Sequence, residues 1–72
     1  MNVPINHKFA KRLRELREKF GYSQLEASNL AGISYKHYQD LESKENPPIA
    51  KLDCIEKLAK AFKMTPSKLL DF

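Results

Sequence analysis

The sequence has only two glycines, a single cysteine and no long apolar run, and these shortages exclude several classes of protein. A disulfide needs two thiols, so Cys54 cannot form one within the chain, and we expect a reducing, cytoplasmic location. Two glycines among 72 residues, of which 42% are hydrophobic, exclude a collagen-like or low-complexity chain. No apolar run approaches the roughly 18 residues of a membrane span, and no signal-peptide pattern opens the chain, so we expect no membrane partner.

The residue combinations that support catalysis or metal binding are also missing. The chain has no catalytic pair of carboxylates, no Ser/His/Asp set, no metal-ligand spacing and no glycine-rich phosphate loop, and His7 and His37 stand alone. We therefore expect that the protein is not an enzyme. We also expect no metal and no cofactor, and no small-molecule ligand is evident.

The chain does carry an excess of positive charge, which is unevenly distributed. Thirteen Lys and Arg against nine Asp and Glu give a net charge of +4, compatible with a polyanionic partner. Residues 1–22 carry six basic and two acidic side chains, and residues 44–72 carry six and four. Between them, residues 23–43 carry one basic and three acidic side chains, a local balance of −2. Attraction to a polyanion must therefore come largely from the flanks.

Apolar residues recurring every three or four positions predict helices near both ends of the chain. The first helix should run from His7 to about Lys19 after a flexible arm of residues 1–6, with Asn6 as a candidate cap. A fourth should cover about residues 50–62, and Thr65-Pro66 should open a short fifth. The apolar stripes of the two longer helices are Phe9, Leu13, Leu16 and Phe20, and Leu52, Ile55, Leu58, Ala59 and Phe62.

The rest of the chain is organised around residues 23–42, which predict two short helices joined by a tight turn. Ser23 is a good N-cap for a helix over residues 24–31, and Gly32 can end it because glycine enters a left-handed turn without strain. Ser34 then caps a helix that continues through Leu41. Two helices joined by about three residues with a glycine at the bend form a helix-turn-helix. We expect one all-α domain, residues 7–72, folded as a compact five-helix bundle.

The predicted third helix has two contrasting arcs. The first arc is expected to lie in or beside the core, and the second has no evident internal role, so it is the candidate functional face. The first arc holds Ser34, His37, Tyr38 and Leu41, and the second holds Tyr35, Lys36, Gln39, Asp40 and Ser43.

The run RLRELREKFGYSQLEASNLAGIS, followed by LE, resembles the lambda-repressor-like, Cro-type (XRE) helix-turn-helix family. The tail KLAKAFKMTPSKLL resembles the family's fourth and fifth helices, so the resemblance covers about residues 7–71. Ala27 and Ser28 depart from the leucine and alanine that the family usually has there. After Leu41-Glu42 the family often has a glycine, whereas this chain continues with Ser43-Lys44.

The resemblance implies that the second helix spans the backbone of double-stranded DNA while the third enters the major groove. Lys36 can donate to guanine and Gln39 can pair with adenine, while Asp40 would either accept from cytosine or face a protein cation. The expected base-reading residues are Tyr35, Lys36, Gln39 and Asp40. The expected phosphate contacts are Ser23, Gln24, Ser34, Ser43, Lys44 and Asn46.

The resemblance also implies a structural ion pair between Arg17 and Glu42. A protein this small spans few base pairs, so we expect a homodimer on an inverted-repeat operator. Residues Leu69, Leu70 and Phe72 are candidates for the dimer contact. The expected function is transcriptional regulation by a stand-alone repressor or a controller protein.

A second interpretation is a protein-interaction module, such as an antitoxin-like or adaptor domain that uses the same helical surface. The local balance of −2 over residues 23–43 favours it. Binding that weakens steeply with salt would favour the DNA-binding interpretation instead.

Overall fold

In the computed structural model, which describes residues 3–72, the chain folds into five α-helices, confirming the predicted all-α class. The helices are α1 (Ile5–Phe20), α2 (Gln24–Ala31), α3 (Tyr35–Leu41), α4 (Leu52–Ala61) and α5 (Pro66–Leu69). Among these residues no helix combines the length and the apolar character needed to cross a membrane.

Helix α1 begins earlier than the sequence predicted. Pro4 is its N-cap, and the Pro4 carbonyl oxygen accepts from the backbone amides of His7 and Lys8. The predicted arm is thus helical at Ile5 and Asn6, while Met1 and Asn2 lie outside the described residues. Asn6 is not the cap, because it lies inside the helix and its side-chain amide donates to the Pro47 carbonyl oxygen at 2.7 Å.

Two glycines end the helices that precede the tight turns. Gly21 has φ 74° and Gly32 has φ 72°, both in the left-handed region where a side chain would be strained. At the second turn, the Ile33 amide donates to the Ser28 carbonyl oxygen at 3.1 Å, so the turn closes with its backbone groups satisfied. This geometry sets the angle between α2 and α3.

The core lies where all five helices meet. Leu13, Tyr38, Leu58 and Phe62 are almost completely buried there, and Phe62 packs edge-on against Phe20 with ring centroids 5.7 Å apart. Burying such side chains is the main driving force for folding a chain of this size.

Three residues that the sequence placed in or beside the core are exposed. Leu52 was placed on the buried stripe of α4, but it is 83% exposed. Lys51 is extended, so Leu52 is the first residue of α4. Its side chain therefore lies beyond the edge of the core. On α3, His37 and Ser34 are exposed rather than core or border residues.

Candidate nucleic-acid interface

The N-terminus of α2 is held by a reciprocal pair of hydrogen bonds. The Ser23 hydroxyl oxygen accepts from the Glu26 amide at 3.0 Å, and the Glu26 carboxylate accepts from the Ser23 amide at 2.9 Å. Such a capping box fixes where the helix begins. The first amides after Ser23 have no acceptor within the helix, and they carry a partial positive charge that favours an anion.

Glu42, the C-cap of α3, is the centre of a polar cluster that joins three helices. Arg17 on α1 donates to its carboxylate twice, from Nε to Oε2 at 2.8 Å and from Nη2 to Oε1 at 3.2 Å. Gln24, the first residue of α2, donates from Nε2 to the same Oε1 at 3.2 Å. The side chain of Glu42 is only 1% exposed and that of Arg17 18%, so the structure brings the two charges together out of water.

Glu42 also affects the pKa values of two neighbours, Arg17 and Tyr38, and its backbone binds Arg14. Hydrogen bonding to Glu42 raises the pKa of Arg17. Burial raises the pKa of Tyr38 far above its usual value, and the neighbouring Glu42 carboxylate raises it further. The Tyr38 hydroxyl has no partner at hydrogen-bond geometry among the described residues. Arg14 donates to the backbone carbonyl oxygen of Glu42 at 2.6 Å, which places a cation at the C-terminal end of α3.

The outer face of α3 is exposed. Tyr35, Lys36, Gln39 and Asp40 all lie on it, and their side chains make no hydrogen bond to any residue in the range 3–72. The cap that starts this helix is the Ser34 hydroxyl oxygen, which accepts from the His37 amide at 3.1 Å. No cation of the described chain lies within ion-pair distance of Asp40. Asp40 was expected either to face a protein cation or to accept from cytosine, and the described residues supply no such cation.

The connector after α3 combines a turn with exposed donors. The Ser43 hydroxyl oxygen accepts from the amides of Glu45 and Asn46 at 3.3 and 3.5 Å, so this side chain shapes the turn. Lys44 and Asn46 are exposed beside it.

The three expected dimer residues separate into two groups. Leu69 is 0% exposed and belongs to the core, so its assignment to the interface was wrong. Arg12 anchors this segment by donating to the carbonyl oxygens of Leu69 and Lys68 at 3.1 and 2.9 Å. Leu70 and Phe72 remain 43% and 48% exposed.

Leu70 and Phe72 line an apolar groove together with residues that were not among the expected dimer contacts. The groove, hereafter the apolar groove, is lined by Ile5, Asn6, Phe9, Ile49, Ala50, Ile55, Leu70 and Phe72. Ile5 falls in the predicted arm of residues 1–6 and Ile49 lies just before the predicted fourth helix, so neither was expected at an interface. Within residues 3–72 no three His, Cys, Asp or Glu side chains converge as metal ligands.

The comparison with protein families agrees with this geometry. A family model described as a helix-turn-helix domain matches residues 10–71. Comparisons with curated proteins and with solved structures found no match.

Proposed function

The chain belongs to the helix-turn-helix domain family, whose members are in general DNA-binding regulators, and we propose that it acts as a stand-alone repressor or controller. In this proposal a dimer binds an inverted-repeat operator in the cytoplasm, with α3 in the major groove. The observation that carries it is the exposed face of α3, where Tyr35, Lys36, Gln39 and Asp40 have no partner among the described residues. Donors and acceptors left free on a rigid helix suit base edges.

Each residue of this face has a chemically matched target. Lys36 donates to guanine O6 and N7, and Gln39 pairs with the N6 and N7 positions of adenine. Asp40 accepts from cytosine N4, which would supply the partner that the protein itself does not. Tyr35 offers a ring and a hydroxyl at the start of the helix, close to where a recognition helix meets the bases.

Phosphate contacts come from the elements on either side. The amides at the start of α2 and the Gln24 side chain face one phosphate, and the exposed Lys44 and Asn46 face another. Ser23, Ser34 and Ser43 take part through their hydroxyl hydrogens, since their oxygens already accept backbone amides.

The net charge of −2 over residues 23–43 opposes DNA binding less than the charge count alone suggests. Glu42 is paired with Arg17, and Glu26 is committed to the cap of α2. Arg14 adds a cation at the end of α3. Of the three acidic residues over positions 23–43, only Asp40 therefore presents an uncompensated charge on the proposed reading face.

The proposed dimer contact is the apolar groove. Its large apolar side chains include Ile5 and Ile49, which are more exposed than Leu70 and Phe72. A stable dimer of ordinary size buries about 800 Å² per partner, so the groove would form its centre and neighbouring polar residues its rim.

The alternative is a protein-interaction module of the antitoxin or adaptor kind, and the same apolar groove favours it, because a groove of this kind also fits a different protein. The two interpretations differ in salt dependence. Binding to phosphates releases counterions, so the affinity for DNA falls steeply as salt rises, whereas an apolar contact responds little.

The test is fluorescence anisotropy with a selected duplex and a scrambled duplex at two salt concentrations. Lys36→Ala should weaken the selected site by about 1–3 kcal/mol and reduce its advantage over the scrambled duplex. Lys60→Ala on α4 removes the same charge outside the proposed reading face and should leave that advantage unchanged. Weak, salt-insensitive binding with no difference between duplexes would refute the proposal.

A further inference from the structure

We infer that Glu42 is a positioning residue for Gln24, holding its amide so that one N–H faces the DNA backbone. The inference rests on the proposed function and assigns a binding role to a residue that itself touches no DNA. Gln24 Nε2 lies 3.2 Å from Glu42 Oε1, and an amide nitrogen carries two hydrogens. One hydrogen is used by the carboxylate, and the other remains for a phosphate oxygen.

The carboxylate can act in this way because other contacts restrain it. Arg17 binds both of its oxygens, at 2.8 and 3.2 Å, and the Glu42 side chain is 1% exposed. Arg17 is itself tied to the Tyr22 carbonyl oxygen by Nη1 at 3.1 Å. Gln24 is therefore hydrogen-bonded to a carboxylate that belongs to the end of α3 and is itself bound by Arg17 of α1.

The expected benefit is that the side chain is ordered before DNA arrives. A glutamine that is free in solution must lose rotamer freedom when it binds, and a restrained one has already lost it. The usual cost of ordering one such side chain corresponds to roughly a two- to tenfold change in Kd. The anchor also links the start of α2 to the C-cap of α3, so the phosphate contact and the reading helix keep one relative position.

The first test is a double-mutant cycle in DNA binding, with Glu42→Gln measured in the wild-type and Gln24→Ala backgrounds. Removing a negative charge near DNA changes affinity equally in both backgrounds, so the difference between backgrounds is the informative quantity. We expect Glu42→Gln to be roughly two- to tenfold more harmful when Gln24 is present. Equal factors in the two backgrounds would overturn the inference.

Arg12→Met is the matched control for the cycle. Arg12 also ties two elements together, through the carbonyl oxygens of Leu69 and Lys68, but it makes no hydrogen bond to Gln24 or Glu42. It should change binding by the same factor in both backgrounds. Circular dichroism at the assay temperature verifies that every variant is folded.

The second test needs no variant and no DNA. The chain has two glutamines, and Gln39 is exposed on α3 with no side-chain hydrogen bond among the described residues. In ¹⁵N relaxation of the free protein, the Gln24 side-chain amide should be restricted and that of Gln39 mobile. Equal mobility would overturn the inference whatever the DNA results show. Failure of the wild type to bind any duplex would instead refute the proposed function, and the role in binding with it.

Discussion

Removal of Arg17 should destabilise the domain far more than a surface charge change would. Arg17→Met leaves the Glu42 carboxylate buried, with the Gln24 amide as its remaining side-chain donor. Breaking a buried ion pair by deleting one partner typically costs about 3–5 kcal/mol. A domain of 72 residues has about 4–11 kcal/mol of total stability, so the variant should lose a large fraction of it.

The structure also predicts that the two single variants are unequal. Glu42→Gln leaves a guanidinium that is 18% exposed and still bonded to the Tyr22 carbonyl oxygen, so its charge remains partly solvated. We expect this variant to lose about 2–3 kcal/mol, less than Arg17→Met, and the two losses to be strongly non-additive in the double variant.

Urea unfolding followed by far-ultraviolet circular dichroism measures these losses, and tyrosine fluorescence serves as a second probe because the chain has no tryptophan. With a slope of about 1 kcal/mol per molar urea, a loss of 3 kcal/mol moves the midpoint by roughly 3 M. Lys19→Met, an exposed charge on α1, is the control and should change stability by less than about 0.5 kcal/mol. Losses that small for Arg17→Met and Glu42→Gln, without coupling, would show that the pair behaves as an ordinary surface ion pair.

Three other predictions follow from the buried groups and the apolar groove. Tyr38→Phe removes a hydroxyl that has no partner at hydrogen-bond geometry among the described residues, so thermal unfolding should show unchanged stability or a gain of up to about 1 kcal/mol; a clear loss would reveal a hydrogen bond in solution. Burial raises the pKa of Cys54, so its thiol stays neutral near pH 7–8 and should react with iodoacetamide much more slowly than in urea, unless α4 opens readily. Phe72→Glu should yield folded monomers in sedimentation with weaker operator binding, whereas Leu52→Glu, an exposed residue outside the groove, should remain dimeric; identical behaviour would place the contact elsewhere.

Local patterns in the sequence were sufficient to predict α2, α3 and the turn between them. The caps at Ser23 and Ser34 and the left-handed Gly32 depend on neighbouring residues alone, and they start and end the elements where predicted. Leu52 and Leu69 show the limit of such patterns. Both carry apolar side chains at helix ends, where burial depends on the path of the adjoining connector, so one is 83% exposed and the other 0%.

The candidate site divides in a similar way. The outer face of α3 follows from helical periodicity, because residues at fixed angles share a surface. The contact between Arg17 and Glu42 was suggested by the family resemblance. The hydrogen bond from Gln24 to Glu42 was not predicted. It joins positions 18 residues apart, so it depends on how the first turn of α2 packs against the end of α3.

Sequence-specific recognition of DNA by the exposed face of α3 is the central claim, and selection from a random duplex library tests it most directly. We expect enrichment of an inverted repeat whose half-site centres lie about one helical turn apart. In a parallel selection with Lys36→Ala, some positions of that repeat should lose their base preference. Recovery of no common sequence, or of the same sequence with undiminished preference by Lys36→Ala, would contradict it.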